Sequence, residues 1–416
     1  MKCRMCKSTE LFPFLDLGFQ PAADRFLTQE QLRQPEVYFP LDVWMCSRCG
    51  LAQLGYVVDP KYLYQEDYPY ESSITMTGHK HWEAFSISTH LRYKLSTKSF
   101  VVDIGSNVGT LLAAFQKRGV RVLGVEPAEN IAKIARDCNV PTMSGFFSTD
   151  IAREIADFHG KADVITATNV FAHVDNLDEF INGVKILLRP DGVFILESPY
   201  FLRLVQKLEY DTIYHEHLSY LSVRPLLKFF ESHSMEIVFV EEQDIHGGSF
   251  RVHVMRKGAY HGDSFAVNHF IALEKKFSLH NEQTLAAFEY QVSENRRKLR
   301  ELLEELLNGG NFIAGIGAPA KGMTLLNYCG IDGDILDFIT EKSTLKIGKF
   351  TPGQHIPIIS DDCLLMGPTE YGPVMRPIGF GLILAWNFAS EIMVNLSDFQ
   401  KMGGMFIVPI PHPRVV

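Results

Sequence analysis

Two cysteine pairs, Cys3-Arg-Met-Cys6 and Cys46-Ser-Arg-Cys49, have the two-residue gap that lets both thiolates of a pair face one ion. Together they supply the sulfur ligands of a tetrahedral structural zinc with no position left open for chemistry. A redox dithiol pair and a catalytic zinc are the competing readings of the same residues. Seven cysteines occur in all, and the isolated Cys138, Cys329 and Cys363 read as packing residues. In a reducing compartment, close pairs of this kind act as metal ligands before they act as disulfides.

A second constellation starts at Phe100-Val-Val-Asp103-Ile-Gly105-Ser-Asn107-Val-Gly109-Thr110, an apolar run ending in an acid and followed by a glycine turn. Glycine permits close approach of backbone to a ligand, and a helix opening after it offers free N–H groups. The spacing differs from the G-x-G-x-x-G pattern suited to a dinucleotide pyrophosphate. Downstream, Glu126 ends the apolar run Val122–Val125, where a carboxylate can accept both hydroxyls of a ribose. A methyl-donor site, another nucleotide-fold enzyme and a non-binding copy all remain open at this point.

The third constellation is Tyr214-His215-Glu216-His217. An imidazole titrates near neutral pH and a neighbouring carboxylate can orient it, which suits general acid–base work. Metal binding by His-Glu-His and a hydrogen-bonded structural loop are the alternatives; the spacing lacks the helical i, i+4 separation of H-E-x-x-H.

These residues need a scaffold. Ser99–Ile104, Val120–Val125, Ala162–Thr168 and Gly192–Ser198 read as buried strands, alternating with helical stretches at Leu111–Arg118, Asn130–Cys138 and Leu177–Leu188. That alternation predicts an α/β fold with a doubly wound parallel sheet and its ligand outside the strands' carboxyl ends. A helical segment is expected from Ala266 to Leu307, ending at Gly309-Gly310. Strands at Ile335–Ile339, Leu382–Trp386 and Met405–Pro409 then predict a second, smaller α/β domain. The domains are expected at 1–75 (zinc module), 76–258 (the α/β domain that carries the glycine turn), 259–309 (helical linker) and 310–416 (C-terminal α/β domain). In the last, Gly315 to Lys321 forms a glycine turn whose N–H groups and lysine could hold a diphosphate.

With 416 residues, 46% hydrophobic and 21% charged, the chain has the composition of a folded protein of two or three domains. A formal net charge of −9 argues against a nucleic-acid partner. No apolar signal segment or membrane-length run is seen, which leads to a cytoplasmic expectation.

The glycine turn and Glu126 together resemble class I S-adenosylmethionine-dependent methyltransferases, a Rossmann-like fold. That resemblance places Gly105, Asn107 and Gly109 along the methionine part and Glu126 on the ribose. Asp103, Phe146, Phe147 and Asn169 are the further cofactor-side candidates. Taken whole, the chain resembles zinc-containing sugar C-methyltransferases of bacterial deoxysugar pathways. The likeness rests on the cysteine knuckles, Asp24-Arg25-Phe26, Tyr68-Pro-Tyr70-Glu-Ser-Ser73, Asp103 to Gly109 and Asn169 to His173. It continues through Ile213 to His217, His246-Gly-Gly248, Gly315 to Lys321, Thr351 to Pro357 and Ala385-Trp-Asn387. It implies methylation of carbon 3 of a dTDP- or GDP-linked 4-keto sugar, His217 as base, Glu216 beside it, and Tyr70, Tyr214 and His173 around the sugar. Asp24 and Lys321 are implied on the substrate side, with S-adenosylmethionine and structural zinc as cofactors. An O- or N-methyltransferase on another small metabolite and a zinc-containing nucleic-acid methyltransferase are the rival functions.

Overall fold

The computed structural model describes residues 1–64, 76–245, 247–260, 262, 265–366 and 378–416. The chain passes back and forth between two units. The first comprises Met1–Pro13, Trp44–Leu202 and His217–Asn281, and the second Phe14–Val43, Arg203–Glu216 and Glu282–Val416. Strands β1 (Leu11–Gln20) and β2 (Phe39–Cys46) each run from one into the other.

In the first unit, β3 (Ala52–Leu54), α1 (Pro60–Tyr64) and α2 (Met76–Arg92) precede β4 (Phe100–Ile104), α3 (Thr110–Gln116), β5 (Arg121–Glu126) and α4 (Glu129–Asp137). Next come β6 (Thr142–Ser144), α5 (Thr149–His159), β7 (Ala162–Thr168), α6 (Leu177–Leu187) and β8 (Leu188–Pro199). After α7 (Phe201–Lys207), the chain forms β9 (Ser219–Tyr220), α8 (Val223–Ser232), β10 (Met235–Gln243), β11 (Ser249–Arg256) and α9 (Phe265–Phe277). The main sheet has the order β10-β11-β8-β7-β4-β5-β6, parallel from β8 to β6, with β11 antiparallel to both its neighbours.

Every residue of β4 is buried, because a parallel sheet carries helices on both faces. On one face, Trp82 and Phe85 of α2 and Leu112 and Phe115 of α3 pack with Val101, Val164 and Val193 of the strands. Ser148 caps α5 by accepting the Ile151 N–H at 3.3 Å, and Asn176 caps α6 through the Glu179 N–H at 3.2 Å. Strand order reverses between β4 and β7, so the loops after these two diverge and open a crevice.

The second unit holds α10 (Glu282–Asn308), β12 (Ile313–Ile316), α11 (Ala320–Cys329), β13 (Ile339–Glu341), β14 (Ile358–Ser360) and α12 (Cys363–Met366). It ends with β15 (Phe380–Ile383), α13 (Ala389–Asn395), α14 (Ser397–Lys401), β16 (Met405–Val408) and β17 (Arg414–Val415). Its sheet order is β14-β13-β12-β15-β16-β17, parallel except for β17. Here the reversal falls between β12 and β15.

Three elements differ from the sequence expectation. The single helix expected over Ala266–Leu307 is broken at Ser278, which adopts a positive φ of 56°, so α9 and α10 are separate. The strand expected at Ile335–Ile339 begins only at Ile339, because the Ile335 and Leu336 N–H groups close a turn on the Asp332 carbonyl at 3.1 and 2.9 Å. Leu382–Trp386 is strand only as far as Ile383, and Trp386 starts a single helical turn. No described helix is long and apolar enough to cross a membrane.

Candidate active site

At the N-terminus the four knuckle sulfurs converge: Cys3 Sγ lies 3.5 Å from Cys49 Sγ, Cys6 Sγ lies 3.5 Å from Cys46 Sγ, and all four are within 4.8 Å of one another. A tetrahedron of Zn–S bonds of about 2.3 Å needs sulfurs roughly 3.8 Å apart, so this donor set fits zinc. Each knuckle turns tightly after its pair. Lys7 N–H bonds the Cys3 carbonyl at 3.0 Å and Gly50 N–H the Cys46 carbonyl at 2.9 Å. Gly50 has φ 88°, and a Cβ there would come within 2.7 Å of the His280 ring. Of the isolated cysteines, Cys329 is buried as expected, Cys363 is half-buried, and Cys138 is exposed rather than packed.

Between the first two ligands sits Arg4, with only 6% of its side chain exposed. Its Nη1 donates to the carbonyls of Leu54 at 2.9 Å and Leu218 at 3.1 Å, and its Nε to Asp175 Oδ1 at 3.0 Å. Leu218 is the residue after His217, so the zinc knuckle is tied directly to the loop that carries the candidate base.

The cofactor-side candidates gather at the β4–β7 crevice. Glu126, at the end of β5, is buried; its Oε2 accepts the Asn107 N–H and its Oε1 the Ala128 N–H, each at 2.9 Å. Burial raises its pKa against those two bonds. A carboxylate has about four acceptor positions, so two remain for ribose hydroxyls. Gly105 and Gly109 have φ of 67° and 78°; a Cβ would lie 2.3 Å from Val170 Cγ2 and 2.8 Å from Val140 Cγ1 respectively. Asn107 and Asn169 also take left-handed φ, 50° and 56°, a conformation that costs most side chains and clusters at ligand sites. Asn169 Oδ1 is buried with no partner among the described residues, while the Asn169 backbone N–H bonds the Glu197 carbonyl at 2.8 Å. The residues present therefore fit a nucleoside with an amino-acid tail. Asp103 turns the other way: burial lifts its carboxyl to about 7, and Thr166 Oγ1 donates to it at 2.6 Å within the sheet. Phe147 packs edge-on to Phe180 at 5.3 Å and beside Gly183, while Phe146 approaches Tyr64 at 6.5 Å.

His173 and His217 meet in the same unit, with ring centroids 4.8 Å apart. His173 follows β7 on a single helical turn. Its Nδ1 is 3.1 Å from the Tyr64 hydroxyl, and its Nε2 is buried without a partner among the described residues. Burial, and then the neighbouring His217, hold its pKa well below 6.5, so this imidazole is neutral. Tyr64 was not foreseen, because nothing in sequence ties it to a residue 109 positions away. Also unforeseen was Glu197 near the carboxyl end of β8: Arg251 Nε and Nη2 donate to its Oε2 at 2.9 and 2.7 Å, and His81 Nε2 lies 2.6 Å from Oε1. Burial opposes its charge, but Arg251 and His81 outweigh that and lower its pKa. An acid inside the apolar run Phe194–Ser198 was the available signal.

Tyr214 and Glu216 fall in the second unit, whose boundary lies just before His217. Glu216 is hydrogen-bonded to Asp24, which is buried and has its pKa raised, burial outweighing the pull of Lys346. His215 is buried with Nε2 3.3 Å from the Phe39 carbonyl, and burial pushes it down to about 4. Lys321 opens α11, its ammonium buried beside Glu209 and Asp211. Tyr70 and His246 lie outside the described residues.

Three family models match successive parts of the chain. Residues 3–64 match a family described as "Putative zinc binding domain", 83–238 one described as "Methyltransferase domain", and 244–411 one described as "C-methyltransferase C-terminal domain". C-methyltransferase NovU from Streptomyces niveus is 37% identical over 415 residues, covering 100% of this chain and 96% of that protein. The chain belongs to this C-methyltransferase family. It is accordingly an S-adenosylmethionine-dependent methyltransferase with a zinc site formed by Cys3, Cys6, Cys46 and Cys49. A ubiquinone biosynthesis O-methyltransferase from Bartonella tribocorum is 26% identical over 156 residues, 33% of this C-methyltransferase and 60% of that protein. Among solved structures, the magnesium protoporphyrin IX methyltransferase of Synechocystis with bound SAH covers 45% of the chain and 90% of its own, with 13% identity and a TM-score of 0.35.

Proposed function

We propose that this enzyme methylates carbon 3 of a nucleotide-linked 4-keto-deoxysugar, carried by dTDP or GDP, through an enolate formed by His217. The observation that supports it is the His173–His217 pair, in which one imidazole is held neutral by burial beside the other. When bound, S-adenosylmethionine supplies an electrophilic methyl group. Glu126 holds the ribose, and Gly105, Asn107, Gly109 and Asn169 line the amino-acid and nucleoside parts.

His217 takes the proton from carbon 3, leaving its electron pair to delocalise onto the 4-keto oxygen. In the tautomer in which the Tyr64 hydroxyl donates to His173 Nδ1, the ring hydrogen resides on Nε2, where no group among the described residues accepts it. That N–H donates to the developing oxyanion, a role worth about 3 kcal/mol in other enzymes. Tyr70 and Tyr214 are further donors. The cofactor held by Glu126 and the glycine turn would supply its methyl to carbon 3, its carbon–sulfur bond breaking to leave the neutral thioether, and His217 gives its proton up to solvent. Asp24 and Lys321 serve on the acceptor side. No step calls for the zinc, which is structural.

The test is His217→Asn. Turnover should vanish, and so should solvent-deuterium exchange at carbon 3 without cofactor, while S-adenosylmethionine affinity stays near wild type. Undiminished activity would remove His217 as the base. Incubating the enzyme with dTDP- and GDP-4-keto sugars, and reading the mass gain of one methyl, identifies the acceptor.

A further inference from the structure

The second unit carries its own set of buried polar groups with nothing to bind. Both carboxyl oxygens of Glu209, Asp211 Oδ1, Lys321 Nζ, and both polar atoms of the Asn387 side chain are buried without a hydrogen-bond partner among the described residues. Glu209 and Asp211 have 0% exposure. Leaving such groups unmatched costs roughly 1–3 kcal/mol each, more when charged, so a cluster of them is not a packing solution. Their arrangement is specific. Trp386 Nε1 donates to Asp211 Oδ2 at 2.6 Å, and Lys321 Nζ sits 4.7 Å over the same indole ring. Lys321 interacts electrostatically with both Asp211 and Glu209 without hydrogen-bonding either, and Lys207 is the other cation that acts on Glu209.

The place matters as much as the atoms. Lys321 follows β12 and Trp386-Asn387 follow β15, the two strands between which this sheet reverses its order. In open parallel sheets, the crevice outside the carboxyl ends at that reversal is where ligands bind. Gly317, with φ 78°, makes the turn after β12, and its N–H bonds the Thr340 carbonyl at 2.8 Å.

The geometry points to a ligand subsite built by Glu209, Asp211, Lys321, Trp386 and Asn387, which takes an uncharged, hydrogen-bond-donating ring group of the acceptor and not its diphosphate. Acceptors dominate the free positions: three carboxyl oxygens and one amide oxygen face a single ammonium and a single amide N–H₂. A phosphate would meet two carboxyl groups, Glu209 and Asp211, that already engage the nearby cations Lys321 and Lys207. Hydroxyls or a ring N–H meet the acceptors they need. Burial, which raises Glu209 to about 7 and Asp211 to about 6 against the pull of Lys321, adds to the energy released when such donors arrive. Lys321 then compensates the carboxyl groups, and the donating ring belongs to either the nucleoside or the sugar.

This subsite rests on the nucleotide-sugar reading above. The experiment is calorimetric titration of the full-length protein, loaded with S-adenosylhomocysteine, using dTDP-glucose, GDP-mannose, the two nucleoside diphosphates and inorganic pyrophosphate. Asp211→Asn and Glu209→Gln should each weaken nucleotide-sugar binding at least tenfold and leave any pyrophosphate binding unchanged. Circular dichroism identifies a variant that fails to fold, and the other variant then carries the test. Loss shared by the nucleoside diphosphate assigns the ring to the nucleoside; loss confined to the nucleotide sugar assigns it to the sugar. Unchanged or tighter nucleotide-sugar binding in both variants overturns the subsite alone. A wild-type protein that binds no nucleotide sugar overturns both readings together.

Discussion

Replacing Arg4 by Met should destabilise the first unit by about 2–4 kcal/mol, whereas replacing its ionic partner Asp175 by Asn should cost less than about 1. The reasoning starts from exposure. Arg4 is 6% exposed and Asp175 59%, so their 3.0 Å ion pair is screened and belongs with surface pairs of about 0.2–1 kcal/mol. The two bonds from Nη1 to the Leu54 and Leu218 carbonyls are buried and charge-assisted, each contributing about 1.5–3 kcal/mol. Relief from burying the guanidinium, whose pKa burial lowers, offsets part of that sum. Methionine matches the aliphatic stem but removes the charged donor from both carbonyls, and the Leu218 carbonyl keeps only the Leu54 N–H at 3.0 Å. The measurement is urea unfolding of the full-length enzyme, followed by zinc release to a chromogenic chelator, for both single variants and the double variant. Because Leu218 adjoins His217, Arg4→Met should also lower kcat in protein that still holds its zinc. An Arg4→Met loss below about 1 kcal/mol, or an Asp175→Asn loss of equal size, would refute the assignment of the stabilisation to the two carbonyls.

Glu126→Gln should weaken S-adenosylmethionine binding about 10–100-fold by calorimetry, since a charged acceptor for the ribose is lost, with turnover at saturating cofactor changed far less. Stripping zinc with a strong chelator should lower the thermal midpoint and abolish activity, and added zinc should restore both, because the ion joins the two knuckles through their four converging sulfurs. The pH dependence follows from His215, which burial holds at about 4 against an ordinary value near 6.5. The unfolded chain therefore takes up this proton first, so the stability attached to the neutral ring is complete above about 7 and is lost as pH falls from about 6.5 towards 4. Relative to His215→Asn, wild type should lose up to about 3 kcal/mol across that window; parallel stability curves for the two proteins would contradict it.

What could be read from the sequence was whatever depends on local spacing. Two thiolates three positions apart face one ion, and an acid two residues before a glycine turn ends a buried strand; neither needs knowledge of the rest of the chain. The left-handed turns at Gly105 and Gly109 and the buried run of β4 are local in the same sense. What stayed hidden is held by distant partners. Arg4 reaches Leu218 across 214 residues, His81 reaches Glu197 across 116, and the Arg251 that fixes Glu197 comes from β11, the strand that interrupts the parallel order. Between Cys3 and Cys6, Arg4 looks like any solvated spacer, although the fold makes it the link from the zinc knuckle to the loop of His217. Lys321 shows the same limit in reverse: its place after a glycine turn was legible, but Glu209 and Asp211, which set its chemistry, were not. A glycine turn with a lysine predicts a phosphate only while its neighbours are unknown. Two buried carboxyl groups beside it change the charge that the site can accept.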